Sequence, residues 1–117
     1  LMEAIPNPRH LGQWTGDPRA TVRQLADVLA KLHNEGFSHR DLKETNLVFD
    51  GDGKLHIIDL EGLEYLETVP PARAAADLAR FARGAEKHPA FTKGLRWSFL
   101  RRYAKARGGK LSNLLGV

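Results

Sequence analysis

The sequence predicts a small α+β domain, mainly helical, with a small β-hairpin as its extended part. Three observations lead there. The 117 residues are 42% hydrophobic and 27% charged, which is a globular composition at the length of one domain. Apolar residues recur at helical spacing in three separate stretches, and the turn sequence Asp50-Gly51-Asp52-Gly53 lies between two apolar runs, where Gly supplies the positive φ a tight turn needs.

Leu1 to Pro8 is apolar at first and broken by Pro6 and Pro8, so it reads as a strand end running into a loop. Leu11 to Trp14 is a short linker, with Trp14 as a packing residue. The first helix is clearly punctuated: Asp17 is a good N-cap and Pro18 suits the first helical position. Val22, Leu25, Val28, Leu29 and Leu32 form its stripe, and Gly36 stops it. Asp27 and His33 stand among polar neighbours and read as surface residues.

From Asn46 the chain enters Leu47-Val48-Phe49, turns, and returns along Lys54 to Ile58, ending at Asp59. Glu61 to Pro71 is acidic and turn-rich, with no long element. A second helix is expected from about Arg73 to Ala85, with Ala74, Leu78, Phe81 and Ala82 on one side. His88-Pro89 breaks it. Thr92 caps a third helix running to about Arg107, striped by Leu95, Phe99, Leu100, Tyr103 and Ala106 and stopped by Gly108-Gly109.

Composition also narrows the chemistry. There is no Cys, which excludes disulfides and thiolate metal sites. No stretch approaches the ~20 apolar residues of a membrane span, and the N-terminus lacks a secretory pattern. The net charge is +4, and the last acid is Glu86; after it come Lys87, Lys93, Arg96, Arg101, Arg102, Lys105, Arg107 and Lys110. This basic end reads as a solvated helix face or as a surface attracted to anionic partners such as phosphorylated lipid headgroups. No nucleic-acid motif accompanies it, so nucleic acid is a disfavoured partner.

The chemistry concentrates between Gly36 and Leu63, GFSHRDLKETNLVFDGDGKLHIIDLEGL. His39-Arg40-Asp41, then Lys43 and Asn46, matches the H-R-D-x-x-x-x-N loop of protein-kinase-like phosphotransferases. An antiparallel hairpin brings Asn46, before its first strand, and Asp59, after its second, to the same open end. One amide and one carboxylate suffice for Mg²⁺, which fills its remaining positions with water and phosphate. In such a site Asp41 takes the proton of the attacking hydroxyl, and Lys43 offsets charge on the transferring phosphate. His39 and Leu60 are packing residues, and Arg40 has a structural role. Asp77, on an Ala-rich helix, reads either as an acid accepting backbone N–H groups of the loop or as a surface acid. Asp50, Asp52 and Glu61 occupy places of a calcium-loop pattern, but Lys54 and Leu55 stand where an acid or amide and an obligatory Gly are required, which rules it out.

The run HRDLKETNLVFDGDGKLHIIDLEGL, followed by AADLARF and FLRRYAKARG, resembles the lipopolysaccharide kinase family, protein-kinase-like enzymes that phosphorylate heptose or Kdo sugars of the lipopolysaccharide core using ATP. Asp59-Leu60-Glu61 stands where ordinary protein kinases have Asp-Phe-Gly, and no Ala-Pro-Glu follows. The resemblance implies that residues 1–117 form a protein-kinase-like C-terminal lobe, with residues 1–8 as a hinge-like segment, 37–61 as catalytic loop and metal-binding hairpin, and 73–107 as C-terminal helices. It implies Asp41 as catalytic base, Lys43 as phosphate contact, Asn46 and Asp59 as Mg²⁺ ligands, Val48 in the adenine floor, main-chain groups near Glu3 and Ala4 at the adenine edge, and Asp77 supporting the loop together with His39.

The expected partners are ATP, Mg²⁺ and an anionic glycolipid sugar, with the cytoplasm, at the inner face of the membrane, as the expected location. The Gly-rich loop of an N-terminal lobe is absent from these residues, so the chain is expected to be a fragment inactive alone. Two other readings stay open: a Ser/Thr protein kinase, from the Lys of H-R-D-L-K, and a non-catalytic remnant of the fold.

Overall fold

The computed structural model describes residues 8–11, 16–43, 46–58, 61–85 and 92–108. Glu3, Ala4, Trp14, Asp59, Leu60, His88, Pro89 and Gly109 lie outside the described residues. Three helices and two small antiparallel sheets follow in the order β1 (Arg9–His10), α1 (Pro18–Asn34), β2 (Phe37–His39), β3 (Leu47–Phe49), β4 (Leu55–Ile57), β5 (Leu63–Tyr65), α2 (Pro71–Ala85) and α3 (Lys93–Ala106). This is the small α+β architecture the sequence predicts.

Helix α1 starts where its cap chemistry says it should. Asp17 Oδ2 accepts from Ala20 N at 3.3 Å, Asp17 O accepts from Thr21 Oγ1 at 2.9 Å, and Pro18 opens the first turn. Its buried face is Thr21, Val22, Leu25, Ala26, Leu29, Ala30 and His33, and it packs most extensively against α3. His33, expected at the surface, is only 2% exposed. The correction has a simple cause: His33 lies one helical repeat beyond Leu29, so the helix turns it inward whatever its neighbours in sequence are.

Gly36 ends the helix with φ +90°, and a Cβ there would come within 2.6 Å of Glu67 O, so only glycine lets the later segment pass. That segment is fastened by Leu66 N donating to Gly36 O at 2.7 Å.

The expected hairpin is present. Leu47 pairs with Ile57, Val48 with His56 and Phe49 with Leu55. Asp50 Oδ1 accepts from the backbone of Asp52 and Lys54, each at 2.9 Å, and Gly53 takes φ 81°. Strand β1 pairs with the other edge of β3, which makes Leu47, Val48 and Phe49 a central, fully buried strand. The second sheet pairs Phe37 with Tyr65, Ser38 with Glu64 and His39 with Leu63. It therefore clamps the start of the loop after His39 to the stretch after the hairpin.

Helix α2 begins at Pro71 rather than Arg73, because Pro suits the first turn and Pro70 O accepts from Ala74 N at 2.9 Å. Ala74, Asp77, Leu78 and Phe81 form its buried side, while Ala82 is exposed. Thr92 caps α3 through Oγ1, which accepts from Leu95 N at 3.4 Å. Phe99, Tyr103 and Ala104 are buried there, and Ala106, expected in the stripe, is exposed. Phe99 stacks on Tyr103 and tilts against Phe81, which joins α3 to α2. Among the described residues no helix is long and apolar enough to cross a membrane.

Candidate active site

Strand β2 ends at His39, which is 2% exposed, and the chain emerges into solvent within two residues. His39 Nδ1 accepts from Asp41 N at 3.2 Å. Arg40 N donates to Gly62 O at 3.0 Å, and the Arg80 guanidinium donates to Arg40 O. Leu42, buried, anchors the middle of the loop. The loop backbone is thus held from three directions while its two candidate chemical groups stay free: the Asp41 and Lys43 side chains are 63% and 64% exposed, with Lys43 Nζ 3.5 Å from Asp41 Oδ2.

Asn46 closes the loop on itself. Its Oδ1 accepts from Lys43 N at 2.8 Å, its N donates to Lys43 O at 2.9 Å, and its O accepts from Ile58 N at 2.8 Å. The last contact brings Ile58 to Asn46, and Asp59, the other expected ligand, lies outside the described residues. Of the two expected Mg²⁺ ligands the described residues include Asn46, whose amide Oδ1 is a hard oxygen that keeps a second lone pair after accepting from Lys43 N. Among the described residues no three His, Asp or Glu side chains cluster as a metal cage, and this cation needs none. The structure therefore brings Asp41, Lys43 and Asn46 together; Val48 lies buried in the central strand.

Arg40 lies at the surface beside Glu64. Its guanidinium is 4.0 Å from Glu64, whose other oxygen accepts from Arg73 Nη2 at 3.1 Å, so Glu64 on β5 joins the loop to α2.

Beneath the loop lies a cluster that the sequence reading foresaw only in part. Asp77 is buried, which excludes the surface alternative, but its partners are side chains rather than loop N–H groups. Oδ2 accepts from Ser38 Oγ at 2.6 Å and from His33 Nε2 at 3.0 Å, whereas among the described residues Oδ1 has no hydrogen-bond partner and lies 4.0 Å from Arg73 Nε. Burial by itself would raise the carboxyl's pKa. The His33 and Ser38 hydrogen bonds, with positive charge at His33 and Arg73, outweigh it and hold Asp77 below the ordinary carboxylate value. On its other side, His33 Nδ1 meets the Tyr103 hydroxyl. Burial first, and the Asp77 charge to a lesser degree, push that phenol up to about 12 against an opposing pull from Arg107. His33 and Tyr103 were missed as polar partners; the four-residue step from Leu29 was the signal for the first.

Comparison with known proteins points the same way. The family model described as lipopolysaccharide kinase (Kdo/WaaP) matches residues 1–103. The 3-deoxy-D-manno-octulosonic acid kinase of Vibrio parahaemolyticus is 34% identical over 64 residues, covering 52% of this chain and 27% of the relative. Sperm motility kinase 2B of Mus musculus is 44% identical over 59 residues (50% and 12%), and maternal embryonic leucine zipper kinase of Xenopus laevis is 39% identical over 72 residues (53% and 11%). The chain thus spans 27% or less of the length of each of these three relatives.

Proposed function

The chain belongs to the lipopolysaccharide kinase (Kdo/WaaP) family, and from that premise we propose that it carries the catalytic loop of an ATP-dependent kinase that phosphorylates a hydroxyl of a lipopolysaccharide core sugar. The observation that carries this reading is the Asp41–Lys43 pair: two exposed, opposite charges 3.5 Å apart on a loop whose backbone is fixed at His39, Leu42 and Asn46. Phosphoryl transfer asks little covalent work of a protein, so positioning and charge dominate.

Asp41 orients the sugar hydroxyl and takes its proton as the oxygen attacks the γ-phosphorus of ATP, while the bond from that phosphorus to the β,γ-bridging oxygen breaks and ADP leaves. Lys43 offsets charge on the phosphate oxygens and, 3.5 Å from Asp41, helps direct its carboxylate. Asn46 sets the span between Lys43 and the hairpin, and with Asp59 it would hold Mg²⁺. That ion, when bound, neutralises phosphate charge. Val48, with backbone near Glu3 and Ala4, would receive the adenine.

The acceptor is read as an anionic glycolipid at the cytoplasmic face of the membrane. Arg101 and Lys105, exposed on α3 and without a partner among the described residues, suit such a surface. A second reading, a Ser/Thr protein kinase, draws on the 44% and 39% identity to two protein kinases.

The test uses the full natural polypeptide carrying this chain, γ-labelled ATP, a Kdo-bearing lipid acceptor and a peptide mixture. Label is expected on the sugar, and Asp41→Asn should lower kcat by about 10³-fold. Label on peptides alone would favour the second reading, and unchanged turnover in Asp41→Asn would sink both.

A further inference from the structure

We propose that Tyr103 on α3 and His33 on α1 are positioning residues for the phosphotransfer, holding Asp77 and Ser38 against the base of the catalytic loop and so fixing where Asp41 stands. This rests on the kinase reading above.

The contacts form an unbroken chain through the core. The Tyr103 hydroxyl meets His33 Nδ1, His33 Nε2 lies 3.0 Å from Asp77 Oδ2, and the same oxygen accepts from Ser38 Oγ at 2.6 Å. Ser38 directly precedes His39, whose Nδ1 accepts from Asp41 N at 3.2 Å. Tyr103, His33, Asp77, Ser38 and His39 are each 4% exposed or less, so water cannot substitute for a missing link.

One direction is fixed: the Asp77 carboxylate can only accept, so His33 Nε2–H donates to it, while the Tyr103 hydroxyl, protonated at working pH, donates to Nδ1 of a neutral ring or accepts from Nδ1–H of an imidazolium.

Stability alone does not account for such a cluster. A phenol, an imidazole and a carboxylate buried together pay desolvation that Phe and Leu in the same volume would not, and what they gain instead is a unique geometry. That geometry is anchored on α3, whose end is tied down as well: Asn34 Nδ2 donates to Ala106 O at 3.0 Å, and Arg107 donates to Asn34 Oδ1 and to Val69 O, each at 3.0 Å. The basic C-terminal helix is thus mechanically continuous with the loop that carries Asp41.

The experiment compares His33→Leu, His33→Gln and Tyr103→Phe in the full natural polypeptide, by steady-state kinetics and by amide hydrogen exchange of residues 37–43. Tyr103→Phe keeps the ring that stacks on Phe99, which guards against simple misfolding. His33→Leu is expected to lower kcat about 30-fold and Tyr103→Phe about fivefold, with KM for ATP within about twofold of the parent. His33→Gln, which can still donate to Asp77, should recover most of the loss. Exchange across 37–43 should speed up about tenfold in His33→Leu and Tyr103→Phe, with residues 21–30 of α1 unchanged.

Unaltered exchange across 37–43 in both folded variants overturns the proposal, as does a His33→Leu kcat equal to that of the parent. Failure of the kinase reading shows separately, as turnover that survives Asp41→Asn; it would remove the catalytic role of the chain of contacts but would not touch the exchange result.

Discussion

The segment from Ser38 to Lys43 has an inner and an outer end. Ser38 and His39 are sealed inside, each with a defined partner, whereas Asp41 and Lys43 stand 63% and 64% in solvent, with one another as their side-chain partners among the described residues. Only the loop backbone, through Asp41 N, Lys43 N and Arg40 N, passes order from the first pair to the second. The difference teaches that changes at the inner end should reach stability as well as turnover, whereas changes at the outer end should reach turnover alone. Each prediction below probes that division.

The largest effect is expected at the inner end. Asp77→Ala leaves His33 and Ser38 without their acceptor and should cost about 3 kcal/mol in denaturant unfolding. A loss below about 1 kcal/mol would mean that the cluster relaxes on its own. At the outer end, Lys43→Ala should lower kcat about 10²-fold with the thermal midpoint unchanged, since its side chain has nothing to hold in the core; a fall in the midpoint would break the division.

Gly36→Ala should cost about 2 kcal/mol, from the positive φ and the approach of Glu67 O, and should loosen β5 before α1. A smaller effect belongs to alkaline pH. The Tyr103 value is raised in the folded state, so its contribution is whole below the unfolded value near 10 and is lost as pH rises through about 12. Tyr103→Phe should therefore lose less stability than the parent between about pH 10 and 12 when melts are compared.

Smallest of all is Arg102→Ala. It removes a bidentate pair with Asp27, at 2.8 and 2.9 Å, but both side chains are about half exposed, and the thermal midpoint should move by less than about 2 °C.

Much of this was legible in the chain. Asp17-Pro18 and the stripe through Val22, Leu25 and Leu29 define α1 by local chemistry, Asp50 to Gly53 defines the hairpin, and Thr92 defines the start of α3. Asp41, Lys43 and Asn46 were legible because a loop of fixed spacing carries them. What stayed hidden depends on distant partners. Strands β1, β2 and β5 have two or three residues each, too few for an alternation to register, and they exist because β3 and each other are there to pair with. His33 looked like a surface residue because Lys31, Asn34 and Glu35 surround it in sequence, yet its partners are Tyr103 and Asp77, far along the chain. Asp77 stands out in sequence as an acid on an Ala-rich helix, but side chains on α1 and β2 decide what it bonds, and local pattern does not encode them.

The hairpin leaves β4 at an edge of its sheet, and exposed strand edges invite pairing with other chains. Gln24, from α1, occupies that edge: its Nε2 donates to Gly53 O at 2.8 Å, and its Oε1 accepts from Leu55 N at 3.0 Å. A side-chain amide thereby imitates the next strand's peptide group and blocks the position where a neighbouring molecule would otherwise dock, so a single helix residue works against aggregation at the start of β4.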